Sequence, residues 1–126
     1  MAREEFQYAV LQVVPRIERG ERMNAGVVLF CRRRGFLAAR VALDRARLAA
    51  LDAQVDAAEV ERHLEVYSRV AAGDASAGAV AAMPDSERFH WLVAPSSTVI
   101  QPSPVHTGLT EDPAASLDAL FGKLVA

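Results

Sequence analysis

Arg19, Glu21 and Asn24 sit within the stretch RGERMNAGVVLF, residues 19–30, and put a fork-shaped cation, a carboxylate and an amide close together in sequence. A small polar ligand or a partner's charged side chain uses such groups: the guanidinium clamps an anion through two hydrogen bonds, the carboxylate accepts, and the amide does both. A second polar stretch, PSPVHTGLTEDP at 102–113, carries His106 beside Thr107. With Glu21 or His106 as general base and Arg19 as anion clamp, segments 19–26 and 102–112 would line a polar cleft. A small enzyme or ligand-binding protein would work there, on a phosphate-bearing substrate for example. Ser103 and His106 have the residue types of a nucleophile and its base. The chain nevertheless lacks a G-x-S-x-G elbow and an evident orienting third group, so the catalytic candidates are Glu21 and His106.

The same residues carry a plainer reading. Gly20 permits positive φ, Asn24 can bond its own backbone in a turn, and Gly26 lets a neighbouring chain approach closely, so a turn leading into a strand explains most of the first stretch. A proline-stiffened loop whose Thr110 and Asp112 help start the last helix explains the second.

Several other chemistries find no support. His63, His90 and His106 are far apart in sequence, Cys31 is the one cysteine, and no H-x-x-x-H or C-x-x-C pair occurs, so no metal site is expected. There is no G-x-x-x-x-G-K-[ST] loop and no G-x-G-x-x-G, and Lys123 is the sole lysine; no cofactor is expected. His63 reads as a surface or boundary side chain on a helix, and His90 beside Trp91 as part of packing. The run Arg32 to Arg34 is short and has only Phe36 nearby for stacking. It reads first as a solvated hairpin tip; a weak, strongly salt-dependent nucleic-acid binder is the further alternative, although nucleic acid is a less favoured partner than protein. Cys31 closes an apolar run and reads as an inert buried thiol.

Chain length and composition set the frame for these residues. With 126 residues, 52% of them hydrophobic and 24% charged, the chain suits one domain over 1–126 with a real core. A single cysteine leaves no intramolecular disulfide and points to a reducing compartment, the cytoplasm. The opening MAREEFQYAV has two glutamates where a secretory signal wants a basic start, so no export signal is expected. The apolar run 27–31 is far too short for a membrane helix. The net charge of −2 hides a division. Residues 1–47 hold ten Arg against five acids, or +5, and residues 48–126 hold four basic residues against eleven acids, or −7. Such polarity steers an anionic ligand or a complementary protein surface.

The elements that position these groups follow from periodicity. Residues 6–14 and 24–31 are rich in β-branched and aromatic side chains and predict strands. Gly35 after the arginines predicts a hairpin into a third strand from Phe36. Asp44 predicts a cap before a short helix. Asp56 and Glu59, at capping-box spacing, open a helix whose Val60, Leu64, Tyr67 and Ala71 share a face, ending near Gly73. Residues 74–83 suit a weak helix or a connection, and those from Asp85 to the residue before Pro95 a short helix. TVIQ offers one more strand. Asp112 as cap and Pro113 at the first helical position open a last helix with Leu117, Leu120, Phe121 and Leu124 on one face. Strands first and helices later predict an α+β fold: a small antiparallel sheet of three or four strands, with an N-terminal hairpin and helices packed on one face.

Three stretches together, YAVLQVVPRIERGERMNAGVVLF, FLAARV and RFHWLVAPSSTVIQPSPVHTGLTEDPAASLDALFGKLV, resemble the bacterial family known as domain of unknown function 3037. The most specific blocks are RGERMNAGVVLF and STVIQPSPVHTGLTEDP. The resemblance implies no activity. It does imply a protein partner, a kinase of the HipA-like type, and it suggests that the two polar blocks meet in space along one edge of the sheet. The sequence reading is therefore a small cytoplasmic binding or adaptor domain that engages a partner, or itself as a homodimer, through a sheet edge and polar loops. Arg19, Glu21, Asn24, His106 and Thr107 are its expected contact residues.

Overall fold

The computed structural model describes residues 2–96 and 98–126. Three long antiparallel strands form its centre: β1 (Glu4–Val13), β2 (Met23–Cys31) and β3 (Phe36–Val41). The three-residue 3-10 turns Ile17–Arg19 and Arg32–Arg34 join them, and each ends on a glycine in the left-handed region, Gly20 at φ 72° and Gly35 at φ 57°. On the other side of β1 lie two short strands, β4 (Ile100–Pro102) against Leu11–Val13 and β5 (His106–Thr110) against Glu4–Tyr8. They run end to end as one broken edge strand. The expected α+β class and antiparallel sheet are what the structure shows, with five strands in place of three or four.

Three of the four helices begin on an aspartate. Asp44 accepts from the Arg47 amide before α1 (Arg45–Leu51), Asp56 from Glu59 before α2 (Ala57–Ala72), and Asp112 from Ala115 before α4 (Pro113–Leu124). Each carboxylate satisfies one of the amides that a helix start leaves without a partner. α3 (Asp85–Leu92) starts instead behind Pro84. Residues 74–83, open between weak helix and connection, form two 3-10 turns, Ala75–Ala77 and Ala79–Ala82.

The β1–β2 register shifts between Leu11 and Gln12: Leu11 faces Gly26 whereas Gln12 faces Asn24, so Ala25 is an extra residue in β2. This β-bulge reverses which face of the sheet odd and even residues of β2 occupy. Before it, Met23 and Ala25 join Leu11 and Val13 in the first core; after it, Val28 and Phe30 do. α1, α2 and α3 cover that face through Leu48, Val60, Leu64, Val70, Phe89 and Leu92. The residues between, Val27, Leu29 and Cys31, join Phe6 and Leu117 in a second core on the opposite face. Helices were expected on one face, and that describes α1 to α3. α4 packs on the other, because β2 beyond its bulge is apolar on both sides. Gly26 sits where β3 crowds β2: a Cβ there would lie 2.9 Å from Val41 Cγ1 and 3.1 Å from the Arg40 carbonyl oxygen.

Candidate functional site

The first polar stretch divides into two parts. Arg19 Nε lies 2.8 Å from Glu21 Oε1, both side chains about half exposed, so this cation and carboxylate neutralise each other at the surface. Asn24 lies deeper and is hydrogen-bonded at both its oxygen and its nitrogen. Its Oδ1 accepts from Gln12 Nε2 at 3.2 Å, and its Nδ2 donates to the Leu124 carbonyl at 3.0 Å. Arg22 Nη1 in turn donates to Gln12 Oε1 at 3.2 Å. Leu124 O is one of the carbonyls at the end of α4 that has no partner inside the helix, so Asn24 fastens that end to the sheet. Asn24→Ala is expected to lower stability by about 1–2 kcal/mol, since the Leu124 carbonyl and the Gln12 amide both lose a half-buried partner. Urea unfolding measures this, and faster hydrogen exchange confined to the last turn of α4 would locate it.

The second stretch corrects the sequence reading. Residues 102–113 were expected as a loop with His106 in it, yet His106 to Thr110 form β5. The break between β4 and β5 is filled by Ser103: its amide donates to the Val10 carbonyl at 2.8 Å, and its Oγ accepts from the Val10 amide at 2.9 Å. The hydroxyl thus takes the place of a backbone carbonyl in the ladder and itself donates to the Pro104 carbonyl at 2.9 Å. An oxygen committed in this way is no nucleophile waiting on His106. The His106 ring is exposed and lies 5.3 Å, centre to centre, from Tyr8. Thr107, opposite Gln7, points to the other face. Thr110 is buried, bonds Ser116 Oγ at 2.6 Å and accepts from the Asp112 amide at 3.0 Å, so it does help start α4.

Glu21 and His106 are not neighbours. His106 faces Tyr8 and Met23 faces Val13. Five strand residues, about 17 Å, separate those two positions on β1, with Glu21 two residues further on. A single cleft around both groups is therefore not formed. What does meet is the row Asn24, Gln12 and Gln101, side by side across β2, β1 and β4. Ser97, the first residue of the second family block, lies outside the described residues.

The arginine tip also has internal work. Arg34 donates to the Glu111 carbonyl at 3.0 Å and to the Ala2 carbonyl at 3.1 Å, tying the hairpin to the chain start and to the approach of α4. Arg33 lies 3.8 Å from Glu4, and the Arg32 guanidinium 6.0 Å from the Phe30 ring centre. The expected solvated tip thus describes Arg32 and Arg33. Cys31 is fully buried, with its thiol near the Glu5 carbonyl. His90 is exposed rather than packed, and Trp91 is 45% exposed with its ring 6.0 Å from Tyr67. Among the described residues, no three His, Cys, Asp or Glu side chains come together as a metal site would need, and no helix is long and apolar enough to cross a membrane.

Two surface features were missed by sequence reasoning. The first is the outer edge of β5, where Leu109 is 63% exposed. The second is a groove between α2 and the segment 98–100, lined by His63, Val66, Tyr67 and Val99. Burial there pushes the Tyr67 hydroxyl pKa up. On the opposite flank of α2, the hydrogen bond from Arg45 holds the Glu61 carboxyl below its usual value.

These features define an α+β domain whose distinguishing surfaces are an open sheet edge and a groove. The chain belongs to the family described as protein of unknown function (DUF3037), whose model matches residues 8–125. No curated protein and no solved structure matches it.

Proposed function

We propose that this chain is a small binding domain that takes a strand of a partner polypeptide along the open edge of β5. The observation that carries the reading is how the edges of the sheet are finished. At the β3 edge, α2 and α4 pack on the two faces and Ser68 Oγ donates to the Ala39 carbonyl at 3.4 Å. At β4, the Thr98 hydroxyl donates to the Ile100 carbonyl at 3.0 Å and the Gln101 amide to the Thr98 carbonyl at 3.0 Å. Along residues 106–109 no described side chain hydrogen-bonds to the backbone, and this strand contains no proline and no Asp, Glu, Lys or Arg. An edge left without such devices is a template for strand addition, in which backbone hydrogen bonds give affinity and side-chain contacts give selectivity. Leu109 would be the main side-chain contact.

The HipA-like kinase implied by the family resemblance is the partner to test first. Co-expressed with tagged wild-type chain, it is expected to co-purify in fixed ratio, and Leu109→Lys is expected to weaken the complex by about tenfold or more, as for an anchor residue. The variant's own unfolding midpoint should not change, because Leu109 contributes little to either core. Undiminished binding by the variant would remove β5 as the docking edge. A second copy of the chain is the other partner this edge favours, because two uncharged strands can pair antiparallel without like charges facing each other. That arrangement gives a mass of twice 13.6 kDa by light scattering, again lost in Leu109→Lys.

A further inference from the structure

The groove beside α2 is a second surface, distinct from β5, and its lining specifies an occupant. It comprises two adjoining cavities of about 260 and 220 Å³ that share His63 and Val99. Val60, Val66, Val99 and Ile100 make an aliphatic floor, and Tyr67 closes one end. The other end is acidic, with Asp56 and Glu59 on its wall and no lysine or arginine lining either cavity. Asp56 is occupied in capping the Glu59 amide, whereas the Glu59 carboxylate has no ion-pair partner among the described residues. Two carboxylates at the start of α2 outweigh the partial positive charge of a helix N-terminus, which leaves that end attractive to a cation.

The dimensions narrow the choice further. From Asp56 to Tyr67 the helix rises about 16 Å, the length of about five residues of extended peptide. The Thr98 and Ile100 carbonyls already accept from side chains, so an occupant is held by its own side chains rather than by joining the sheet. We propose that this groove binds a short extended segment of a partner polypeptide in which aliphatic side chains are followed by a lysine or arginine that meets Glu59. The aliphatic part covers Val66 and Val99 and removes them from water; the cation supplies the direction of binding. A domain with this site and an open β5 edge has two separate contact surfaces, as an adaptor requires.

The test is an amide-resolved NMR titration of the full chain with the end-capped tetrapeptides Val-Leu-Val-Lys and Val-Leu-Val-Glu, and with hexylammonium alone. The lysine peptide is expected to shift the His63, Val66 and Val99 signals saturably and to bind about fivefold or more tighter than the glutamate peptide, a difference set by electrostatic complementarity. Glu59→Lys, an exposed position whose backbone cap is unchanged, should reverse that preference while signals from β2 and β3 stay in place. Equal binding of the two peptides, the absence of saturable shifts, or an unchanged preference in Glu59→Lys would each overturn the inference. So would hexylammonium binding as tightly as the lysine peptide, which would assign the groove to a small amine.

Discussion

Phe30→Ala is expected to lower the unfolding free energy by about 4 kcal/mol, near the top of the range for single core substitutions. Phe30 is 2% exposed and lies in the middle strand, opposite Gln7 of β1 and Leu37 of β3. Its ring centre is 5.1 Å from that of Phe89, so it is also the contact that seats α3 on the sheet. The loss has two parts, the transfer of a large apolar ring and the cavity left behind. That cavity closes poorly because a hydrogen-bonded strand on each side holds Phe30's backbone in place. Against a typical total of about 5–15 kcal/mol, that loss is a large share of the stability. Urea unfolding gives the value, with Phe30→Leu as the milder control that keeps the fold measurable. A loss under about 2 kcal/mol for the alanine variant would mean that α3 moves inward to fill the space.

Gly108→Ala is the second large effect, expected to cost about 2 kcal/mol although alanine is ordinarily the better strand residue. A Cβ at 108 would lie 2.6 Å from Cζ and 2.7 Å from Cε1 of Phe6, whose ring lies across the glycine as part of the second core. Phe6 is 7% exposed, so either its ring is forced out of the core or β5 is pushed off β1. Phe6→Leu removes the clashing atoms. The double variant should therefore be less destabilised than the sum of the singles, by about 1 kcal/mol or more in a double-mutant cycle. Additivity within about 0.3 kcal/mol would mean that the ring swings aside freely and the close approach constrains nothing. Because β5 carries the proposed docking edge, Gly108→Ala should also weaken partner binding, and Phe6→Leu should restore part of it.

Local signals made the helices legible. Asp44, Asp56 and Asp112 each cap as their spacing predicts, and the faces of α2 and α4 bury Val60, Leu64, Leu117 and Phe121. β1 and β2 were readable from their run of β-branched residues. β5 was not, because His-Thr-Gly-Leu-Thr has no alternation of apolar and polar side chains. It is a strand by virtue of pairing with residues about a hundred positions earlier, and an edge strand needs no apolar pattern. Gly108 reads as a turn signal in sequence but answers to the ring of Phe6. The site was less legible than the fold. Arg19, Glu21 and Asn24 have the residue types of a binding site, yet Arg19 pairs with Glu21 and Asn24 with the main chain of α4. Composition does not reveal whether polar neighbours satisfy one another or wait for a ligand. The α2 groove was hidden for a related reason: His63, Tyr67 and Val99 meet only after β4 is laid against β1.

The extra residue at Ala25 has a consequence for how sequences of this family can drift. Deleting Ala25 alone would leave every other pair of β1 and β2 in place, because Gly26 already faces Leu11 and Asn24 already faces Gln12; the ladder would become regular, losing one small core side chain and the local kink. A one-residue deletion at 25 is therefore expected to be tolerated better than one at Val28 or Phe30, which takes a fully buried side chain out of the core.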